Sequence, residues 1–310
     1  MLSRRQLRIK VLKSLYAFFQ AEKSDLAVAE RELFRSIEKV NELYIYLLDF
    51  LRELTEADRN DAGDLHLKFF PREEELKASK RLSSLGFFIA LNENKDFEIA
   101  MKRTKISWQK NQDLVRKIFL EIKKSDLYRD FLRDPHADEK PFLIELLRHF
   151  IESSEALQHH IEEENIFWSD DFDFVVHMIG RTIRSFYDHD KLELIPLYKD
   201  EEDDRDFAGK LFSQTILNNE EFEKSISERT KNWEVERIAL MDILILKMAL
   251  AELITFPNIP VKVSINEFID ISKEYSTPKS KQFVNGVIDK LAADYKERGK
   301  IVKQGRGLIN

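Results

Sequence analysis

An all-α fold is the expectation for this 310-residue chain, and three features carry it. Charged residues make up 35% of the sequence, while glycine and proline number only 8 and 7. That mix suits long helices laced with surface ion pairs better than sheets joined by tight turns. Apolar residues recur at three- and four-residue intervals, the spacing that gathers them on one side of a helix. The length allows two domains, or one domain with a large insertion, and either can bury a sizeable core.

The first helix is expected from about Arg4 to Gln20, with Leu7, Val11, Leu15 and Phe18 on one stripe and Leu12 and Phe19 beside it. Its opening turns hold Arg4, Arg5, Arg8 and Lys10, then Lys13, and no acidic residue occurs before Glu22. Cations at the positive end of a helix dipole cost a few tenths of a kcal/mol each. Something other than helix stability therefore retains them. Helices follow over Val40 to Leu54, Leu76 to Leu91, Asp113 to Leu132, Phe142 to Asn165 and Phe172 to Tyr187, with breaks at Pro71, around Pro135 and at Pro196.

The acidic run from Asp200 to Asp204 reads as a boundary before a final helical unit beginning near Phe207. In that unit the stretch from Val235 to Phe256 is apolar nearly all round, as a central helix covered on every side would be. Ser264 and Glu267 have capping-box spacing and are expected to open a helix through Tyr275. Thr277-Pro278 breaks it, and a last helix from about Ser280 to Lys296 precedes a basic, glycine-containing tail expected to be loose.

Cysteine is absent, which removes disulfides and thiolate chemistry and suits a cytoplasmic protein. The N-terminus has no apolar signal region, and the most hydrophobic stretch, Ile238 to Leu250, is interrupted by Asp242 and Lys247, well short of the roughly 18 to 20 residues a membrane span needs. A net charge of -7 argues against wholesale coating of nucleic acid, so any RNA contact must come from a local basic patch. No glycine-rich phosphate loop, dinucleotide fingerprint or nucleophile elbow is present, so neither an enzyme nor a cofactor is expected. His159-His160 with Glu162, Glu163 and Glu164 reads as a solvated charged face rather than a metal site, since neither Glu152 nor Glu155 has a histidine three residues on.

Two separated blocks of sequence line up with one family. The opening Arg4-Arg5-Gln6-Leu7-Arg8 with Leu15-Tyr16, and a C-terminal set, resemble the NusB family of transcription antitermination factors. That set comprises Trp233, Arg237, Asp242, Lys247, Ala251-Glu252-Leu253, the stretch Pro260 to Glu267, and Phe283-Val284-Asn285-Gly286-Val287-Ile288-Asp289. The resemblance implies a NusB-like helical bundle formed by residues 1–21 and 206–310, with residues 22–205 as an inserted helical subdomain. It also implies binding of single-stranded boxA-type RNA together with the ribosomal protein NusE, within an antitermination complex of RNA polymerase.

On this resemblance the RNA-binding candidates are Arg4, Arg5, Arg8 and Lys10 on the first helix, and Lys279, Lys281, Gln282 and Asn285 at the start of the last. Arginine forks suit phosphates and stack on unpaired bases, and a helix start offers free N–H groups. Asn285 reads equally as a residue satisfying buried backbone, and Gly286 as one that permits helix packing. Asp242 stands among apolar neighbours and needs a partner, either NusE or an internal cation. Tyr16 is a second candidate for the NusE contact. Two other readings stay open: a helical scaffold without RNA binding, and an RNA-binding module associated with a ribosomal-RNA methyltransferase. The methyltransferase itself is excluded, because its chemistry needs a cysteine nucleophile and a glycine-rich cofactor domain.

Overall fold

The structure, a computed structural model, describes residues 1–23, 25–66, 80–134, 136–230, 239–277 and 280–308, without the side chains of 64–66 and 306. Its regular elements are helices: α1 Arg4–Gln20, α2 Leu26–His66, α3 Gly86–Glu93, α4 Lys95–Thr104, α5 Gln112–Lys124, α6 Asp126–Arg133, α7 Glu139–Leu146, α8 Glu155–Glu164, α9 Phe172–His189, α10 Glu201–Leu217, α11 Asn219–Thr230, α12 Leu240–Thr255, α13 Val261–Tyr275 and α14 Ser280–Glu297. Among the described residues no helix is long and apolar enough to cross a membrane. The chain divides into two compact units, an insert unit of residues 38–197 with Met1, and a terminal unit of residues 2–37 and 198–310.

This division differs from the expected one at both edges. The acidic run is not itself the boundary, which falls between residues 197 and 198: the Asp200 side chain caps α10 by accepting the Asp203 N–H, and Glu201 to Asp204 form its first turn. Carboxylates are favoured there because they face the positive end of the helix dipole. At the other edge, residues 26–37 of α2 belong with the terminal unit. Phe34 receives the Arg205 guanidinium on its ring at 4.4 Å, and a Cβ on Gly209 of α10 would lie 3.4 Å from Phe34.

Within the terminal unit α12 is the central helix, packed by α1, α10, α11, α13 and α14. Leu244 to Ala251 and Leu253 are buried along it, the Lys247 ammonium reaching out to Asn219 at 2.7 Å and Glu223 at 3.0 Å. Leu7, Val11, Leu12 and Leu15 of α1 are wholly buried, whereas Phe18 stays at the margin, edge-on to Phe212 at 6.2 Å. A charged contact joins the same helices. Glu252, fully buried, accepts Nε and Nη2 of Arg8 at 2.7 Å each and the Ser264 hydroxyl at 2.7 Å. Ser264 is thus no helix cap. Helix α13 begins three residues earlier, after Pro260, and the serine turns inward to the carboxylate. The C-terminal tail is docked as well: the Gln304 N–H donates to the Pro257 carbonyl at 3.0 Å, Lys303 to that of Phe256 at 2.9 Å, and Gly307 presses so closely on Pro257 that an added Cβ would collide with its carbonyl oxygen.

The insert unit is organised by aromatic rings. Tyr46 of α2 stacks on Trp108 at 4.3 Å and on Trp168 at 5.1 Å, and the Trp108 indole donates to the Tyr46 carbonyl at 2.9 Å. His160 joins this cluster, 2.8 Å from the Tyr46 hydroxyl and 4.9 Å from the Trp108 ring, so only His159 and the glutamates form the expected solvated face. Burial lowers the His160 pKa. Among the described residues no group of three or more acidic or histidine side chains is arranged to hold a metal. Two expected long helices are each broken by a serine cap: Ser125 accepts the Tyr128 N–H to start α6, and Ser154 accepts that of Leu157 to start α8. A hydroxyl that satisfies an N–H at a new helix start competes with simple continuation.

Removing one partner of a buried ion pair strands the other charge and costs about 3–5 kcal/mol, so Arg8→Ala should destabilise the terminal unit by that amount in denaturant unfolding. Replacing Arg8 and Glu252 together by methionine should recover most of it. A second outcome concerns Asp49 of the insert unit, whose buried carboxylate is pushed up to about 6 from the ordinary 3.8, chiefly by desolvation, although Arg52 lies 2.6 Å away. The folded state then holds this proton more tightly than the unfolded one, so stability falls as pH rises from about 4 through about 6. Asp49→Asn should remove that slope and raise stability at neutral pH by on the order of 2 kcal/mol, read from denaturant melts on both sides of the window.

Candidate nucleic-acid interface

Ser3 opens α1 with a reciprocal cap: its hydroxyl accepts the Gln6 N–H at 3.3 Å while the Gln6 carboxamide accepts the Ser3 N–H at 3.1 Å. The cap projects Arg4, Arg5 and Arg8 from the first turns into an open cleft of about 1140 Å³, whose other wall is Phe256 to Pro260 and Val263. Each arginine is met by carboxylates of another helix. Arg4 reaches Asp203 at 2.5 Å and Asp204 at 3.3 Å, its guanidinium 4.1 Å above the Phe207 ring. Arg5 forks onto Glu267 at 3.0 Å through two nitrogens and touches Asp270 at 2.9 Å. The Glu267 hydrogen bonds drive the Arg5 pKa further up. Arg8 is held by Glu252, with Glu267 at 3.5 Å.

These pairs explain the basic opening of a helix whose dipole disfavours it. The cations are retained by acids on α10, α12 and α13, interactions between elements that outweigh the few tenths of a kcal/mol of dipole cost. Three guanidinium charges face five carboxylates here, Asp203, Asp204, Glu252, Glu267 and Asp270. An anionic ligand in this cleft must therefore displace carboxylates as it binds.

The structure corrects several expected roles. Arg8 is only 3% exposed and committed to Glu252, so it is an internal strut with no free edge for RNA. Lys10 is buried and engaged within the fold. Asp242, 4% exposed, faces inward and accepts the Ser280 hydroxyl at 2.7 Å at the start of α14, with its other oxygen unbonded. Among the described residues it has no ion-pair partner. Gly286 is exposed, and a Cβ there would meet nothing within 4 Å, so packing does not require it. Lys281, Gln282 and Asn285 are all exposed on α14, and among the described residues Asn285 bonds to no buried backbone group. Lys279, Trp233 and Arg237 lie outside the described residues. Tyr16 is 42% exposed on α1.

One signal for the interior role of Arg8 was present in the sequence. Position 8 falls four before Leu12 and seven before Leu15, on the buried stripe, and Glu252 stands between Ala251 and Leu253 in a largely apolar helix. Two opposite charges, each on a buried face, are candidates to pair.

The family model described as NusB family matches residues 176–293. The chain is 49% identical over 105 residues to the transcription antitermination protein NusB of Salinibacter ruber, a stretch covering 34% of this chain and 66% of the relative. It is 40% identical over 106 residues to the protein of that name from Chloroherpeton thalassium, covering 34% and 50%. A third, from Geotalea daltonii, is 36% identical over 92 residues, covering 30% and 63%. The chain thus spans about half to two thirds of the length of these relatives. No solved structure matches it. The matched region runs from within α9 into α14 and holds the central helix, the Glu252 partner of Arg8 with the Ser264 that donates to it, and the exposed face of α14, and through it this chain belongs to the NusB family.

Proposed function

We propose that the chain is a transcription antitermination factor that binds single-stranded, boxA-like RNA together with the ribosomal protein NusE, as part of an RNA polymerase complex, and that it performs no covalent chemistry. The observation that carries this reading is the similarity to antitermination proteins over a region that includes α14. On that helix Lys281, Gln282 and Asn285 are exposed at positions i, i+1 and i+4, which puts an ammonium and two amides on neighbouring surface. Such groups suit phosphates and the edges of unpaired bases.

Arg4 and Arg5 supply the second part of the surface. Both remain partly exposed, and a phosphate replaces their carboxylate partners with little change in guanidinium geometry, since either anion fits the same fork. Tyr16, exposed on α1, is the aromatic offered to NusE. The excess of carboxylates around the arginines favours one competing reading, a helical scaffold that holds protein partners and no RNA.

The reading is tested by fluorescence anisotropy with a boxA-like RNA, with and without NusE. Lys281→Glu combined with Asn285→Ala should weaken binding at least tenfold and lower the salt slope by about 0.7 per lost phosphate contact. Tyr16→Ala should leave binding to RNA alone unchanged and remove the gain on adding NusE. RNA affinity that is undetectable in the parent chain at low salt, with intact folding, would select the scaffold.

A further inference from the structure

A second basic stretch of this acidic chain lies in the insert unit. Residues 101–124 contain eight lysines and arginines against two acids, Asp113 and Glu121, in a protein of net charge -7. Lys102 is paired with Glu98, and Lys123 with Asp61. The remaining six, Arg103, Lys105, Lys110, Arg116, Lys117 and Lys124, are all exposed, and none has an ion-pair partner among the described residues. This is the reverse of the α1 cleft, where every arginine is answered by a carboxylate.

We propose that these six cations form a second RNA-binding face, one that grips the phosphate backbone without reading sequence. It does not rest on the boxA reading, since it concerns another unit and another kind of contact.

The face is built to hold its charges in place. Helix α5 turns Val115, Ile118, Phe119 and Ile122 inward, which leaves Arg116, Lys117 and Lys124 on the opposite side, where they outnumber the exposed Asp113 and Glu121. The turn before it, Gln109–Asn111, carries Lys110 and is anchored by the buried Trp108, while the Gln112 carboxamide ties the start of α5 to Glu53 at 2.7 Å. Lys105 ends α4 with φ 56°, a left-handed conformation in which glycine is the usual choice, so its side chain is there at a cost to local stability. Thirteen residues of α5 extend about 20 Å, enough to lie along several phosphates of one strand.

The composition of the face favours nucleic acid over the alternatives. Gln109, exposed beside Lys110, places an amide among the cations, a donor and acceptor that suits phosphate oxygens and ribose hydroxyls. A membrane-docking face would present exposed aromatic or long apolar side chains for insertion, whereas Trp108 is buried and Ile106 and Leu114 are only half-exposed.

The test uses the full chain and an oligouridylate of about 30 nucleotides, titrated by anisotropy between roughly 50 and 300 mM salt. Reversing three charges, K110E with R116E and K117E, should weaken binding at least tenfold at about 0.1 M salt and lower the salt slope by about 2, three contacts at roughly 0.7 each. The K110Q, R116Q, K117Q protein should move both quantities in the same direction while keeping the parent circular dichroism and melting temperature. Lys281→Glu with Asn285→Ala should not abolish this binding, which separates its failure from that of the boxA surface. Unchanged affinity and slope in both triple variants would overturn the proposal. So would polyglutamate of matched length competing as well as the RNA, an outcome that would reassign the face to an acidic protein.

Discussion

The terminal unit depends on one buried ion pair. Arg8 enters from α1 and meets Glu252 on α12, with Ser264 of α13 completing the carboxylate's hydrogen bonds, so a single polar contact joins three helices. Desolvating two charges is expensive, and their attraction repays the cost only when geometry is good and the remaining lone pairs are satisfied. Both conditions hold, with two parallel bonds at 2.7 Å and a hydroxyl on the carboxylate. An apolar contact tolerates rotation and sliding of α1, whereas a bidentate fork accepts one register. That register sets where Arg4 and Arg5 emerge, and so what the cleft presents to solvent.

What the sequence disclosed of this structure was the part carried by repetition along one helix. The stripe of Leu7, Val11 and Leu15 and the apolar circumference of α12 are local patterns, and the structure buries both. The features that escaped reading depend on a competitor elsewhere in the chain. Ser264 and Glu267 have capping-box spacing, but a buried carboxylate and an arginine fork outbid the local cap, so the helix begins earlier and both side chains point away from its end. The acidic run reads as a boundary because the charge of Arg4, some 200 residues distant, does not show in its composition. The candidate site was legible in its residue types and less so in their roles. Of the four cations expected on α1, two are interior, and the exposed lysines and arginines of residues 103–124 have no regular motif to announce them.

Charge is distributed in this protein by pairing more than by amount. Around α1 cations are abundant and neutralised, which makes ligand binding there an exchange of anions; on α5 most have no ion-pair partner among the described residues, which makes binding a matter of direct attraction and counterion release. The two surfaces respond differently to their surroundings. An exchange site discriminates among anions by geometry, because a poor fit does not repay the lost carboxylate, while an unpaired face accepts any chain of phosphates and is weakened chiefly by salt.

The span between Arg8 and Glu252 also bears on how the protein comes into being. These residues are separated by 244 positions, and residues 38–197 of the insert unit lie between them. A ribosome adding roughly 5–20 residues per second needs on the order of 10 to 50 s to deliver the second after the first. For that interval α1 has emerged with its apolar stripe and its arginines unmatched, while the insert unit, continuous from residue 38 to 197, has all its partners and can fold. Helix α1 must then be kept from pairing elsewhere until its docking site is made, and the order of synthesis makes the newest part of the chain the one that completes the oldest.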